Sequence, residues 1–320
     1  MERSQISYNR KTNIDKTVKI VLFILTTITS SIIVVSALFI LFRGVQPFFK
    51  SYLVGDSYHR ANFGYFLFGN FWEKGHLYGA GFILINTIYV SLLALLIATP
   101  ISVLGALFIT KMAPKKIKIL LETVIEILAS IPSVIYGLFA SVVITGFVKN
   151  LASVFNYQTA GGASSLAASL VLAIMIIPTI TLLSITAIKT VPETLEHASL
   201  ALGASKTQTN YKIVLKAASS FIFQGVIVGL GRAFGEATAV SMVAGNTPTG
   251  PTFNIFDTTR TLTSTMLIGI HESYGMGYDI RFSVGILLMV LILVSNLVLT
   301  KIKERMQAWK KMKLKHNMKS

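Results

Sequence analysis

The sequence predicts an all-α polytopic membrane protein with six transmembrane helices and both termini in the cytoplasm. Three observations predict it. Hydrophobic residues make up 53% of the 320 and charged residues 13%, about half the usual charged share, and mean hydropathy is +0.68. The apolar residues gather in six blocks, and a hydrocarbon core of about 30 Å at about 1.5 Å per residue needs roughly 20 of them per helix. Lys and Arg avoid those blocks and crowd alternate loops. A soluble fold, a collagen and a disordered tail are excluded.

The expected spans are 18–42, 82–110, 119–148, 165–188, 217–245 and 281–301. The first follows Arg10, Lys11, Lys16 and Lys19, which resembles a signal-peptide n-region. Its apolar run is too long for a signal h-region and no small-x-small cleavage site follows, so a retained helix is expected. The layout is then a cytoplasmic N-terminus over 1–17, the first helix over 18–42 and an extracytoplasmic loop over 43–81. A transmembrane domain over 82–301 and a basic cytoplasmic tail over 302–320 complete it.

Orientation follows from counting cations. The N-terminus, loop 111–118, loop 189–216 and the tail from Lys301 hold 21 Lys and Arg together. The opposite segments hold seven: Arg43, Lys50, Arg60, Lys74, Lys149, Arg260 and Arg281. The positive-inside rule therefore places the first set in the cytoplasm. The net charge of +16 is a topology and lipid-headgroup signal, not a nucleic-acid footprint. Absent cysteines exclude disulfides and thiolate chemistry, and His59, His76 and His271 show no ligand spacing, so no metal is expected. Aromatics of the first outer loop (Tyr65, Phe66, Phe68, Phe71, Trp72) suit an interfacial belt.

The loop KTVPETLEHASLALGASKTQTNYKIVLK (189–216) is the most informative. Thr190 with Glu193 has the capping-box spacing, and Pro192 sits early. Leu195, Ala198 and Leu202 recur with helical period, and Gly203 supplies a left-handed stop. Such a helix is either an interfacial anchor or a docking knob for another protein.

Glu196, Ala198, Gly203, Ile213 and Leu215 stand as E-x-A, then G, then I-x-L after nine residues. This resembles the EAA loop of ABC importer permeases, with His197 in place of the middle alanine and Lys216 in place of the usual proline. The strings ASIPSVIYGLFA (129–140), IMIIPTI (174–180) and GLGRAFGEATAVSMVAGN (229–246) are similar to the PstC-like permease subunits of phosphate ABC importers. The similarity runs from about Phe71 to Leu299. It implies a type I ABC importer permease bundle whose cytoplasmic coupling helices insert into an ATPase subunit. It also implies three kinds of partner: a PstA-like second permease, PstB-like ATPase subunits that bind ATP and Mg²⁺, and a PstS-like extracytoplasmic phosphate-binding protein.

Arg232 and Glu236 stand four residues apart in the fifth apolar block. An ionised side chain at mid-membrane costs roughly 2.5–3.5 kcal/mol on insertion scales. Two readings are open: a structural i,i+4 pair, or a translocation path in which Arg232 offers phosphate its planar fork and Glu236 orients it. Gly225, Gly229, Gly231 and Gly235 have small-xxx-small spacing, which suits a seam with a second permease.

Glu122 and Glu126 form a second i,i+4 pair, Glu122 reaching toward headgroups and Glu126 lying deeper, facing inward or gating. Pro132 is expected to kink the third span, with Ser130 and Ser133 re-satisfying the ladder, while Tyr136 and Gly137 line a constriction or merely pack. Pro178 is expected to kink the fourth.

No Walker A loop, G-x-S-x-G or H-E-x-x-H is present. The chain is expected to be a transport subunit without its own cofactor, not an enzyme. A secondary transporter or anion channel is the alternative, and the 189–216 loop argues against it, because such proteins have no need of a coupling helix.

Overall fold

The computed structural model describes residues 2–72 and 77–317. Lys74, His76 and the last three residues of the basic tail lie outside them, as do the side chains of 2–14 and most of those beyond 305.

Helix α1 (Glu2–Phe49) is longer than the expected 18–42, because no Gly or Pro interrupts residues 2–43 and Pro47 falls in the last turn. Thr26, Thr27, Thr29 and Ser31 each donate to the carbonyl four residues back at 2.7–2.8 Å, which satisfies their hydroxyls within the helix. The expected outer loop 43–81 contains a hairpin, β1 (Tyr52–Val54) antiparallel to β2 (Ser57–His59), with Tyr52 opposite His59. Helix α2 (Phe63–Phe68) follows, capped by the Asn62 side chain, which accepts from Tyr65 N at 2.9 Å.

The second span is α3 (Gly81–Leu107), prolonged by a π-helical stretch, Phe108–Met112. The third departs from the expected single kinked helix. Helix α4 (Lys115–Ser130) ends at Ile131 and Pro132, both extended at ψ 128° and 141°. A residue before proline is pushed out of the α region, and Pro132 brings no N–H to carry the ladder across. The crossing helix is instead α5 (Ser133–Phe139), a π-helical stretch and α6 (Thr145–Val154), together Ser133–Val154.

Helix α7 (Ser165–Lys189) runs unbroken through Pro178 and is the most buried of the six spans. The cytoplasmic loop folds as α8 (Glu193–Ala201), α9 (Lys206–Gln208) and a π-helical stretch leading into α10 (Leu215–Gly235). The fifth span thus ends at Gly235, ten residues short of the expected 245. Beyond it come α11 (Thr238–Val243) and α12 (Leu262–Leu267). The last helix, α13 (Met276–Asn317), carries the basic tail onward as helix, since residues 286–317 hold strong helix formers and neither Gly nor Pro.

Helix α7 packs against α3 and α10 at the centre, and α1 lies along α13. The central core joins Val90, Tyr136, Ile176 and Val240, and a second apolar cluster under the hairpin includes Phe66, Phe82 and Ile280. A third, on the cytoplasmic side, holds Leu107, Ile188 and Val214. Lipid is as apolar as leucine, so close packing drives helix association here. Gly225 and Gly229 provide it within the chain: a Cβ at Gly229 would stand 2.7 Å from Ile180 Cγ1, and one at Gly225 3.0 Å from Leu183 Cβ. Of the four glycines expected at an intersubunit seam, only Gly231 and Gly235 face open space.

Candidate translocation path and coupling segment

The path residues gather where α10 stops. Glu236 leaves the helix at φ −76°, ψ 115°, so Arg232 and Glu236 do not form the i,i+4 pair that the spacing suggested. The break is stabilised by both halves of Glu236: its carboxylate accepts from Ala239 N at 3.0 Å, starting α11, and its carbonyl accepts from Thr263 Oγ1 at 2.8 Å. Arg232 turns elsewhere. Its Nη1 donates to Thr179 Oγ1 at 2.8 Å, residue 15 of the 25 in α7, hence near mid-span. Among the described residues the ion pairs are three, and none includes Arg232. Among the described residues, the other donors of this half-buried guanidinium have no hydrogen-bond partner, and a guanidinium fork matches an oxyanion in geometry.

The break at Pro132 borders the same region. Tyr136 is buried, its hydroxyl donates to Leu128 O at 2.8 Å, and Ser130 Oγ donates to Ile127 O at 2.7 Å, so both carbonyls at the end of α4 are satisfied. A Cβ at Gly137 would meet Ala239 Cα at 2.9 Å, so α5 and α11 touch backbone to backbone. Ser133 is the first residue of α5. Tyr136 packs with Ala239 and Val240 of α11, while Pro132 is exposed and Ser133 half-exposed.

Glu126 does not face inward: it is exposed on α4 and, among the described residues, has no hydrogen-bond or ion-pair partner. Glu122 takes a structural role, accepting from Lys189 Nζ at 2.9 Å and tying α4 to α7.

In the coupling segment, Pro192 is the N-cap of α8, and Thr190 instead donates to Ala187 O at 2.8 Å at the end of α7. The expected Thr190–Glu193 box is absent because α7 claims the threonine. A capping box forms one helix later, between Ser205 and Gln208. Gly203, at φ +82°, ends α8: its N–H donates to Leu200 O at 3.0 Å and Ala204 N to Ser199 O at 3.2 Å, the doubly bonded left-handed stop. Glu196 is turned into the protein, where it pairs with Lys111 at the inner end of α3. Ala198, Gly203 and Ile213 are exposed and Leu215 packs partly into the cytoplasmic core. Leu202 presents 89% of its surface beside Leu195 and Leu200, an apolar tip with no covering in the chain.

Several residues of the outer half escaped sequence reasoning. Asp279 is buried, takes Arg43 Nη1 at 3.1 Å and Tyr52 Oη at 2.7 Å, and so fastens α1 to α13. Burial, reinforced by that carboxylate, pushes the Tyr52 phenol up. Arg281 is buried and donates to Thr265 O and Ser273 Oγ. Arg260 donates twice to Asn246 O, at 3.2 and 2.8 Å. The only available signal was a charge bordering an apolar block, which topology counting had already absorbed.

A family model described as binding-protein-dependent transport system inner membrane component matches residues 98–308. The chain is 39% identical over 217 residues to the probable ABC transporter permease protein YqgH of Bacillus subtilis, covering 67% of this chain and 68% of that protein. It is 31% identical over 269 residues to the phosphate transport system permease protein PstC of Pasteurella multocida, covering 78% and 83%. Among solved structures, a bacterial ABC transporter involved in the import of the acidic polysaccharide alginate superposes with a TM-score of 0.53 at 20% identity, over 70% of this chain and 78% of that one. That likeness concerns the fold alone, and it is the bundle of an ABC importer permease. Six candidate spans and the matched family agree: the chain belongs to the binding-protein-dependent transport system inner membrane components, multi-pass permeases of the cytoplasmic membrane.

Proposed function

We propose that this chain is one permease subunit of an ATP-driven importer of inorganic phosphate. The observation that carries the cargo assignment is Arg232, a mid-span guanidinium held by Thr179, in no ion pair among the described residues, and next to the α10–α11 break. A permanent planar cation suits an oxyanion, and Glu236 nearby limits how tightly the anion is held. The relatives named phosphate transport permeases support the same reading.

Coupling is assigned to α8. Its apolar tip at Leu202, with Ala198 and Gly203, fits a groove on a cytoplasmic ATPase subunit, where ATP and Mg²⁺ would bind. Glu196 acts from behind, through Lys111. Six helices leave the path open on the side of Gly231 and Gly235, which suits a second, PstA-like permease. An extracytoplasmic PstS-like binding protein would deliver phosphate to the outer loops. Pro132, Ser133 and Tyr136 form the wall that moves against α11, and Glu126, exposed on α4, faces a neighbour or headgroups.

The test is uptake of labelled phosphate in cells lacking the native permease, together with copurification of an ATPase and a second permease. Phosphate uptake that depends on Arg232 supports the reading; a chain that transports without an ATPase partner refutes it.

A further inference from the structure

Among the described residues, charge in the outer half is balanced with one exception. Asp279 has Arg43, and Arg281 is wrapped by Thr265 and Ser273 with the Glu272 carboxylate acting on it. Arg260 has neither arrangement. Its Nε and Nη2 share one acceptor, the carbonyl of Asn246, its Nη1 has no partner among the described residues, none of the ion pairs among those residues includes it, and the Arg281 cation acts on it. Desolvation, and then this second cation, bring its pKa down to about 10, so it stays protonated near neutral pH. Arg260 is half-buried, and a partly desolvated cation without a counterion is costly, a cost that a bound anion removes. Two polar atoms adjoining it, Asn246 Oδ1 and Thr259 Oγ1, are also buried without a hydrogen-bond partner.

Position gives this charge a task. Asn246, to which Arg260 is bonded, follows α11, and α11 begins at the Glu236 break beside Arg232. At its other end the Val243 carbonyl accepts from Ser164 N, the outer N-cap of α7, at 3.0 Å. Arg260 thus stands beyond the outer end of α11 and Arg232 before its inner end, and α11 itself contributes six helical residues between them, about 9 Å of rise. Thr238, Ser241 and Asn246, all half-exposed, lie between them.

We propose that Arg260 forms an outer oxyanion subsite, which takes phosphate arriving at the extracytoplasmic face and passes it along α11 to Arg232. This rests on the cargo assignment above. Arg260 is the first stop because its charge is held by a single carbonyl and, among the described residues, is in no ion pair that would compete with the anion.

The experiment uses the assembled importer and measures labelled-phosphate uptake against external phosphate for wild type, Arg260→Gln and Arg260→Lys. Glutamine keeps a donor for Asn246 O and loses the charge. Its maximal uptake should fall about tenfold or more, the low end of what a focused field contributes to anion entry. Half-saturating phosphate should not change, because capture by the binding protein sets it. Lysine should be intermediate. Glutamine uptake within about twofold of wild type would overturn the proposal. So would equal losses in both variants that track loss of assembled complex from the membrane, since Arg260 would then be a structural pin. A wild-type complex that moves no phosphate would refute the cargo assignment itself, and the subsite with it.

Discussion

Arg232 on α10 and Thr179 on α7 are joined by a 2.8 Å hydrogen bond one residue past Pro178. The bond fixes where the guanidinium points. Thr179→Val removes an acceptor for a charged donor, a loss of about 1.5–3 kcal/mol, and should slow phosphate uptake several-fold while Arg232 keeps its charge. Arg232→Lys keeps charge but loses the fork and should be slower still. Uptake normalised to assembled complex decides this; Arg232→Lys equal to wild type would remove Arg232 from the path. A charge-swapped Arg232→Glu, Glu236→Arg chain should fail, since the two side chains bind different helices and make no pair.

The Lys111–Glu196 ion pair makes a second prediction. Both side chains are only 19% exposed, so a charge reversal at either leaves like charges facing each other. Lys111→Glu alone should leave ATP hydrolysis in the complex but reduce phosphate moved per ATP. Lys111→Glu with Glu196→Lys should restore much of it. No rescue would show that Glu196 meets the ATPase directly instead of holding α8.

Gly203 tests the same segment through the backbone. A Cβ there would meet nothing within 4 Å, yet φ is +82°, so any penalty is conformational. Gly203→Val should cost about 1–2 kcal/mol at the turn and uncouple hydrolysis from transport, while Gly203→Asn, which tolerates the left-handed region, should be milder. Membrane insertion should survive in both. Equal transport by valine, asparagine and wild type would sink the idea.

Legibility in the sequence followed the strength of the periodic signal. Long apolar runs gave α3 and α7 nearly to the residue, and Gly203 marked its turn because a left-handed stop has few alternatives. The breaks were missed. A proline within an apolar run predicts a kink, but the extended preference that Pro132 imposes on Ile131 ends the helix. Gly235 looked like one more packing glycine, and nothing local announced that Thr263, 27 residues on, would take the Glu236 carbonyl. The Arg232–Glu236 pair failed for that reason: spacing predicts a shared face only while the helix lasts. Arg260 and Asp279 depend on long-range partners that spacing does not encode.

The outer loop carries a pH prediction. The Tyr157 hydroxyl donates to Asp257 Oδ1, whose other oxygen accepts from Thr252 Oγ1 at 2.5 Å. The hydrogen bond to Asp257 raises the Tyr157 pKa, with burial and the carboxylate charge adding to it. A pKa raised in the folded state stabilises below the unfolded phenol value of about 10 and is lost as pH climbs through the folded value. The latch should therefore be indifferent to pH from neutrality to about 10 and loosen above it. Limited proteolysis between 155 and 165 should show that rise in wild type, whereas Tyr157→Phe should be cleaved at one pH-independent, faster rate.

Packing between α7 and α10 supplies the last prediction. A Cβ on Gly229 would lie 2.7 Å from Ile180 Cγ1 and 2.8 Å from Cδ1, and Ile180 is fully buried. Gly229→Ala gains helix propensity of roughly 0.5–1 kcal/mol, yet overpacking costs typically about 1–3 kcal/mol, so the net effect should be a lower unfolding midpoint for the purified complex. Ile180→Ala alone opens a cavity and should also destabilise. The double variant exchanges the two volumes across the interface, because alanine at 180 removes both atoms that the new methyl meets. It should be more stable than the sum of the single losses. The measurement is thermal unfolding of all four complexes in one detergent. Strict additivity would mean that α10 shifts away as a body and that the glycine is not what sets the distance between these helices.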